Sequence, residues 1–193
     1  MPVELWRPSL DLALHRNRNW AGVRFVQLAT VRPDHRPSIR TLVFRGFLDD
    51  ARRLLLTTDL RSAKRAEIDA NPAGELCWYF PETREQFRLA GDLAVVDANA
   101  ASPELLELRA DVWAELSDDA RLAFTWPEPG AVRDHALAFP TTYPDPAAPV
   151  ESFGLLILNP FAVDHLELQG NPQHRWKYEA DARGRWSGRE VNP

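Results

Sequence analysis

The sequence predicts a mainly β fold, in which antiparallel strands form a barrel with helices at its periphery. Short segments rich in aliphatic, aromatic and β-branched residues recur along the 193-residue chain. Turn signals separate these segments, and two or three helix-like stretches interrupt them. There is no internal repeat and no clear domain boundary, so we expect residues 1–193 to form one domain. A barrel with peripheral helices is the architecture that this order of elements favours.

The first half of the chain supplies one helix-like segment and then a β-rich region. Leu10 and Leu14 are four residues apart after Pro8, which predicts a short helix. A second short helix is expected at 65–70, where Asn71-Pro72 ends it. Turns are expected at 33–37, 49–52 and 81–83. The strands expected in this half are 23–31, 38–47, 54–57, 74–80 and 85–96.

The second half begins with a helical region and returns to strands. Residues 103–122 predict one or two helices, with Leu105, Leu106 and Val112 on the apolar face. Residues 127–151 are rich in proline and predict a long connection, interpreted as a lid or an interface arm. The strands expected after it are 153–158, 163–168, 176–178 and one near Trp186.

Composition excludes several classes of function. The net charge of −5 argues against nucleic acid as the main partner, because a phosphate backbone demands a basic face. The single cysteine, Cys77, permits no disulfide within the chain and fits a reducing cytoplasm. No stretch approaches about 18 consecutive apolar residues, so we expect a cytoplasmic protein that does not insert into a membrane.

A hydroxyl- and cation-rich segment, residues 57–64, joins the third expected strand to the helix at 65–70. A helix N-terminus exposes unpaired N–H groups and the positive end of the helix dipole, so it favours anions. Arg61 and Lys64 beside such amides suit a phosphate group. A structural interpretation stays open, in which Thr58 or Asp59 caps the helix and both cations lie in solvent.

The common catalytic signatures are missing from the sequence. It contains no nucleophile elbow, no dinucleotide-binding glycine motif and no Walker loop. Its five histidines include no pair four residues apart, so no metal site is expected. The acidic pairs Asp49-Asp50 and Asp118-Asp119 fall in expected turns and are interpreted as solvated. No residue can be assigned as catalytic.

Cationic and amide side chains on successive β elements remain as candidates for ligand binding. Arg40 and Arg45 are five residues apart, so they face opposite sides of a regular strand. Both can reach one ligand only through a bulge, at a strand end, or if the intervening backbone contacts the ligand. From the residues alone, the prediction is an anion-binding β-barrel. The candidate side chains are Arg40, Arg45, Arg61, Lys64, Gln86, Arg88 and Arg175.

The order of these motifs resembles the pyridoxamine 5′-phosphate oxidase family. The resemblance is strongest over about residues 20–96 and resumes at 153–178 and at the final Val191-Asn192-Pro193. The phrases at 76–81 and 84–88 resemble a branch distinct from the authentic vitamin B6 enzymes. The matching motifs are Arg40 to Gly46, Thr57 to Lys64, Asn71-Pro72 and Gln86.

The resemblance implies a split β-barrel that forms a homodimer, with FMN in clefts at the subunit interface. Arg40 and Lys64 would hold the FMN phosphate, and Thr58 and Ser62 would donate hydroxyl groups to it. The complete set of cofactor-binding residues that it implies is Arg40, Thr41, Leu42, Val43, Phe44, Arg45, Thr57, Thr58, Arg61, Ser62, Lys64, Gln86 and Arg175.

The flavin ring would lie along residues 41–44, whose backbone would make polar contacts with it. This arrangement answers the difficulty that Arg40 and Arg45 face opposite sides. Arg45 stands where the family usually has lysine, close to the ring and the substrate. Gln86 and Arg175 would come from the neighbouring subunit. Donors near the flavin favour its reduced form.

Departures from the family pattern concern mainly the substrate side. Ala63 stands where the oxidases have arginine, so one phosphate contact is lost unless Arg61 replaces it. Leu168 replaces an expected tryptophan, for which Trp176 is a possible substitute. Residues 170–175 are shorter than the family's substrate loop and lack its Arg-x-His element. The cofactor site is expected to be retained, and the site for the B6 phosphate is not.

The preferred hypothesis is a homodimeric FMN-binding flavoprotein that acts as an oxidoreductase on an unknown small molecule. The first alternative is a true pyridoxine/pyridoxamine 5′-phosphate oxidase. The second is a non-catalytic protein that binds FMN or a deazaflavin. Haem is disfavoured because the histidines show no axial-ligand context.

Overall fold

Eight strands and four helices account for the regular structure of residues 5–48 and 52–193, the part of the chain that the computed structural model describes. The elements are α1 (Arg7–Arg16), β1 (Phe25–Val31), β2 (Pro37–Phe47), β3 (Leu54–Asp59), α2 (Lys64–Ala70), β4 (Ala73–Phe80), β5 (Glu85–Val96), α3 (Pro103–Ala114), α4 (Asp118–Ala123), β6 (Phe153–Glu167), β7 (His174–Ala180) and β8 (Trp186–Val191).

Six of the strands close into an antiparallel barrel. Their order is β3-β2-β1-β4-β5-β6, and β6 pairs back with β3 to complete the circle. Strands β7 and β8 extend the sheet outward from β6. Closure removes exposed sheet edges around most of the circumference. The prediction of a mainly β, antiparallel barrel with peripheral helices is confirmed.

Two apolar clusters lie on the two sides of the barrel wall. The interior cluster combines aliphatic side chains with the fully buried aromatic rings of Trp78, Phe80 and Phe87. A second cluster lies outside the wall, where Trp113 of α3 packs near Phe153 of β6. Strand β3 and the start of β6 are therefore covered on both faces, which explains their continuous apolar sequences.

The largest difference from the sequence prediction is in β6. Two strands were expected, at 153–158 and 163–168, but one 15-residue strand runs from Phe153 to Glu167. Pro160 does not end it, because the ladder with β5 shifts register between Ala90 and Gly91, opposite the proline. A bulge of this kind tolerates a residue without an N–H group. Residues 49–51 of the expected turn lie outside the described part.

The peripheral segments match the prediction more closely. Leu10 of helix α1 and Trp6, the residue before the helix, pack against the barrel interior. The expected helical region at 103–122 is divided into α3 and α4. Residues 127–151 contain no helix or strand, as predicted for a connection. Among the described residues, no helix has the length and apolar character needed to cross a membrane.

Candidate functional site

Strands β2 and β3 stop pairing with each other at one end of the barrel, and we name the region between them the cleft. Beyond Leu56, residues Thr57–Asp59 pair with β6. Residues 37–43 of β2 pair with β1. Among the described residues, β2 meets β3 only at Phe44–Leu56, Gly46–Leu55 and Phe47–Leu54. The barrel is closed at one end of this pair of strands and split at the other.

The backbone of β2 offers hydrogen-bonding groups to this cleft. The Phe44 N–H points toward β1 and donates to the carbonyl of Arg24, the residue just before that strand, at 2.8 Å. Hydrogen bonding alternates along an antiparallel ladder, so residues Thr41 and Val43 direct their N–H and C=O groups away from β1. These groups face the cleft, where a planar ligand with polar edge atoms can pair with them.

Arg40 lies at the mouth of the barrel in a polar cluster. Its Nη2 donates to Glu67 Oε2 and to Ser38 Oγ, both at 2.7 Å. Its Nη1 donates to Thr30 Oγ1 at 2.5 Å. Thr30 in turn donates to Glu67 Oε2 at 2.5 Å. Thr30 and Glu67 are buried, so the orientation of Arg40 is fixed by the fold.

Lys64, at the start of α2, belongs to the same cluster. Its Nζ donates to Ser62 Oγ at 2.5 Å, and Ser62 donates to the Asp59 carbonyl at 2.6 Å. Burial lowers the pKa of Lys64, and the positive charge of Arg40 lowers it further. Among the described residues, two carboxylates lie near these cations: Glu67 pairs with Arg40, and Asp59 pairs with a third cation, Arg61. The pocket therefore carries one excess positive charge and is suited to an anion.

Glu67 was not identified from the sequence, although it lies one helical turn after Lys64. Burial would raise its pKa, but hydrogen bonds from Thr30 and Arg40 outweigh this effect and hold the pKa below its ordinary value of 4.5. The carboxylate thus balances Arg40 when no anion is bound. Its functional signal, an acid three residues after a lysine, is too common to have distinguished it from a solvated helix residue.

Because the pKa of Glu67 is lowered by folding, its contribution to stability is present above pH 4.5 and is lost as the pH falls through the lower folded value. We expect Glu67→Gln to reduce the free energy of unfolding by about 1–3 kcal/mol at neutral pH. The difference from wild type should shrink below pH 4.5. Urea unfolding at several pH values measures it, with exposed Glu82→Gln as the control; a difference independent of pH would contradict the prediction.

The other predicted residues of segment 57–64 have separate roles. Thr57 and Thr58 are buried, and Thr58 Oγ1 donates to the Asp59 carbonyl at 3.3 Å. The N-cap position of α2 is Ala63, so the interpretation of Thr58 or Asp59 as its cap is wrong. Arg61 forms a bidentate pair with Asp59. Its predicted contact with the phosphate stays a prediction.

Arg45 lies at a bulge of β2, where the register with β3 shifts between Phe44 and Gly46. Its surroundings differ from those of Arg40. Burial lowers its pKa, the nearby charge of Arg24 lowers it further, and Glu115 opposes them. Its Nε is buried and has no hydrogen-bond partner among residues 5–48 and 52–193. A buried donor without a partner costs free energy, which an acceptor on a bound ligand would recover.

Gln86 and Arg175 lie on the outer face of the sheet, with strand β6 between them. In the register of β5, β6 and β7, Gln86 is opposite Leu166, and Leu166 is opposite Arg175. Directly paired residues share one face of a sheet. Asp164 accepts two hydrogen bonds from Arg175, at 2.9 and 2.8 Å, and this pair raises the pKa of Arg175. Arg40 is on the opposite face, since its partner Leu28 is in the barrel interior.

A second polar cluster lies at another part of the barrel. His165 Nε2 is 2.9 Å from Glu85 Oε2 and 4.0 Å from Glu167 Oε1. The three side chains have the ligand types of a metal site. However, His165 Nδ1 is buried and has no partner within the described part of the chain, so a metal on Nε2 would leave an unpaired buried N–H. The geometry therefore favours a hydrogen bond between His165 Nε2 and Glu85 over a metal site.

Comparisons with known proteins agree with this geometry. The family model described as pyridoxamine 5′-phosphate oxidase, FMN-binding domain, matches residues 3–97. An Arabidopsis thaliana protein named pyridoxine/pyridoxamine 5′-phosphate oxidase 2 is 37% identical over 99% of this chain and 98% of its own length. The pyridoxine/pyridoxamine 5′-phosphate oxidase of Xanthomonas oryzae pv. oryzae is 28% identical over 86% of this chain and 84% of its own.

Solved structures show the same relationship. A pyridoxamine 5′-phosphate oxidase-related, FMN-binding protein from Nostoc punctiforme has a TM-score of 0.93 and 50% identity, over 99% of this chain and 98% of its own. PhzG from Burkholderia lata, solved with tetrahydrophenazine-1-carboxylic acid, has a TM-score of 0.71. Its identity is 19%, over 97% of this chain and 89% of its own, so this likeness concerns the fold alone.

The fold and the cleft define a split β-barrel protein whose cofactor is FMN. The chain belongs to the pyridoxamine 5′-phosphate oxidase family. Both conclusions confirm what the order of sequence motifs implied.

Proposed function

We propose that the cleft between β2 and β3 holds FMN, with the phosphate at Arg40, Ser62 and Lys64 and a further hydroxyl from Thr58. The observation that carries this assignment is the parting of the two strands beside a pocket with one excess positive charge. Charge-assisted hydrogen bonds from an arginine and a lysine are suited to a phosphate dianion. The free polar groups of Thr41 and Val43 are suited to the polar edge of the flavin ring.

We propose that the complete site requires a second copy of the chain. Gln86 and Arg175 share an outer sheet face that also carries exposed apolar side chains of β1, β2 and β4. These are Phe25, Ile39 and Tyr79. Exposed apolar residues on a regular sheet favour a face that pairs with another protein surface. A homodimer through this face would bring Gln86 and Arg175 toward the FMN of the partner.

The proposed activity is that of an FMN-dependent oxidoreductase acting on a small molecule. The chemistry that FMN supplies is acceptance of two electrons from a substrate and their transfer to a second acceptor. Residues of this chain would bind the cofactor, orient it and tune it: Lys64 and Arg40 through the phosphate, and Arg45 through its unpaired Nε beside the ring. No side chain is assigned as a general base.

Oxidation of pyridoxine or pyridoxamine 5′-phosphate is the second candidate. The name of the Arabidopsis thaliana relative, which matches 99% of this chain, favours it. The short segment 170–175 argues against it, because it lacks the Arg-x-His element expected for a substrate loop. Arg175 itself pairs with Asp164 and so is already engaged in the free chain.

The first test is to identify the cofactor and its reactivity. Chromatography of the ligand released from purified protein should show FMN, and a deazaflavin or no ligand would contradict the cleft assignment. Anaerobic mixing with pyridoxine 5′-phosphate, pyridoxamine 5′-phosphate, NADH or NADPH then shows which compound bleaches the flavin. If pyridoxine or pyridoxamine 5′-phosphate bleaches the flavin, the second candidate function, oxidation of these compounds, is supported. A flavin that none of these compounds reduces favours a carrier over an enzyme for these substrate classes.

The lowered pKa of Lys64 predicts how FMN affinity depends on pH. The ammonium must be protonated to attract phosphate, and its pKa in the free protein is below the ordinary 10.5. FMN affinity should therefore fall at alkaline pH as Lys64 loses its proton, and this loss should occur at a lower pH than for a lysine with an ordinary pKa. Fluorescence titration of FMN between pH 7 and 11 measures this decline.

Two controls separate Lys64 from other titrating groups. Lys64→Arg keeps its charge over this pH range and should lack the alkaline decline. Riboflavin has the same ring but no phosphate. Deprotonation of Lys64 should therefore not weaken riboflavin binding at alkaline pH. An identical decline in wild type and Lys64→Arg would contradict the assignment.

A further inference from the structure

Arg61 connects two parts of the molecule that are far apart in sequence. We name residues 59–64 the phosphate turn and residues 127–151 the arm. Arg61 Nε and Nη2 donate to the two carboxylate oxygens of Asp59, at 3.0 and 2.6 Å. Its Nη1 donates to the Trp126 carbonyl at 2.7 Å, and Nη2 also donates to the Phe124 carbonyl at 3.2 Å.

The other end of the arm is attached to the same turn. The Ser152 hydroxyl donates to the Phe124 carbonyl at 2.6 Å, and the Leu60 N–H donates to the Ser152 carbonyl at 2.8 Å. Both ends of the arm therefore meet at the carbonyl of Phe124 and at the phosphate turn. Arg61 is the side chain that bridges the turn to the beginning of the arm.

The same contacts occupy the guanidinium. Its Nε and Nη2 groups donate to the Asp59 carboxylate as a bidentate pair. Its Nη1 and Nη2 groups also donate to the backbone carbonyls of Trp126 and Phe124. A direct contact with phosphate would compete with Asp59 for these donors. The proposed phosphate ligands, in contrast, depend on the shape of the turn: Lys64 donates to Ser62, and Ser62 donates to the Asp59 carbonyl.

We infer that Arg61 is a positioning residue, which bridges Asp59 to the backbone at Phe124 and Trp126 and so couples the phosphate turn to the arm. The inference rests on the proposed FMN site. By this coupling, an FMN phosphate that orders the turn also stabilises the attachment of the arm. The role needs the planar fork of arginine, because a lysine ammonium cannot form the bidentate pair and reach both carbonyls.

The test compares the affinities of FMN and riboflavin in fluorescence titrations of the full-length protein. The ratio of the FMN affinity to the riboflavin affinity isolates what the phosphate contributes to binding. A general loss of structure would weaken the binding of both ligands and would not selectively change this ratio. We expect Arg61→Ala, Arg61→Lys and Asp59→Asn each to reduce this ratio about fivefold or more. Arg36→Ala, in the exposed hairpin loop, is the matched control and should leave the ratio unchanged.

Two results of these titrations would overturn the positioning role. An Arg61→Lys variant with the wild-type ratio would show that Arg61 acts through its charge on the phosphate. A higher ratio in Asp59→Asn would show that Asp59 competes with phosphate for Arg61. If Lys64→Ala also keeps the wild-type ratio, the phosphate site itself is wrongly placed, and the proposed function fails together with the inference.

Trypsin measures the coupling to the arm. Arg133 is exposed within the arm and provides a cleavage site that mass spectrometry can follow. FMN should slow cleavage at Arg133 in the wild type, and the protection should be lost in Arg61→Ala at saturating FMN. Equal cleavage of wild type with and without FMN would overturn the coupling. If FMN still protects Arg133 in Arg61→Ala, Arg61 is not the residue that couples the phosphate turn to the arm.

Discussion

Replacement of Lys64 by alanine should lower the affinity for FMN by about tenfold or more. A hydrogen bond to a charged group is worth about 1.5–3 kcal/mol, and Lys64 is the cation of the pocket that forms no ion pair with a carboxylate in the described part of the chain. Its removal leaves Arg40, which Glu67 already neutralises. The loss should be confined to the phosphate contribution, so riboflavin should bind as it does to the wild type. Fluorescence or calorimetric titration measures both ligands.

The control for this variant is chosen from the structure. Arg65, on the same helix, forms ion pairs with Asp69 and Asp97, so its removal would disturb the attachment of α2. Arg36→Ala is a better control, because its nearest carboxylate is 3.9 Å away and the side chain is exposed. Unchanged FMN binding by Lys64→Ala would place the phosphate elsewhere.

Replacement of Ile39 by glutamate should convert a dimer into a monomer and weaken FMN binding by at least tenfold. Ile39 lies on β2 with 69% of its surface exposed, so the monomer loses no core packing. On the proposed dimer face, however, a buried unpaired carboxylate would oppose association. Light scattering after size-exclusion chromatography should give twice the 21.9 kDa chain mass for wild type and the single mass for the variant.

FMN titration of the same variant tests whether the site is shared between subunits. If Gln86 and Arg175 act across the dimer, the monomer loses their contacts, and affinity falls with association. A monomeric Ile39→Glu with wild-type affinity would show that one chain suffices, and a dimeric variant would show that the face is wrongly assigned. Val132→Glu, at a position 97% exposed in the arm, is the control and should change neither property.

Local patterns predicted most of the secondary structure correctly. The alternation of buried and exposed residues in β5, and the turn residues before it, define that strand without tertiary information. Pro160 misled the prediction because a proline commonly ends a strand. In this structure Phe161 is an extra residue in β6, and the bulge beside Pro160 needs Gly91 on β5, where a Cβ atom would lie 2.3 Å from the Asn159 carbonyl oxygen.

The proposed binding residues could be predicted only where a contiguous motif carries them. Thr58, Ser62 and Lys64 belong to one segment, 57–64, and Thr41 to Val43 to one strand, so the order of motifs led to their assignment, which stays a prediction. Glu67 was missed because its role depends on Thr30 and Arg40, which reach it from two different strands. The pairing of Arg61 with the carbonyls of Phe124 and Trp126 joins residues more than 60 positions apart.

By itself, the sequence determined the class of fold, the family and the identity of the cofactor, because these depend on periodicity and on short motifs in a fixed order. The tertiary structure decided where β2 separates from β3, which charges remain uncompensated in the cleft, and which face carries Gln86 and Arg175. Those properties arise from strand register and from contacts between distant segments, and a local pattern of residues does not specify either of them.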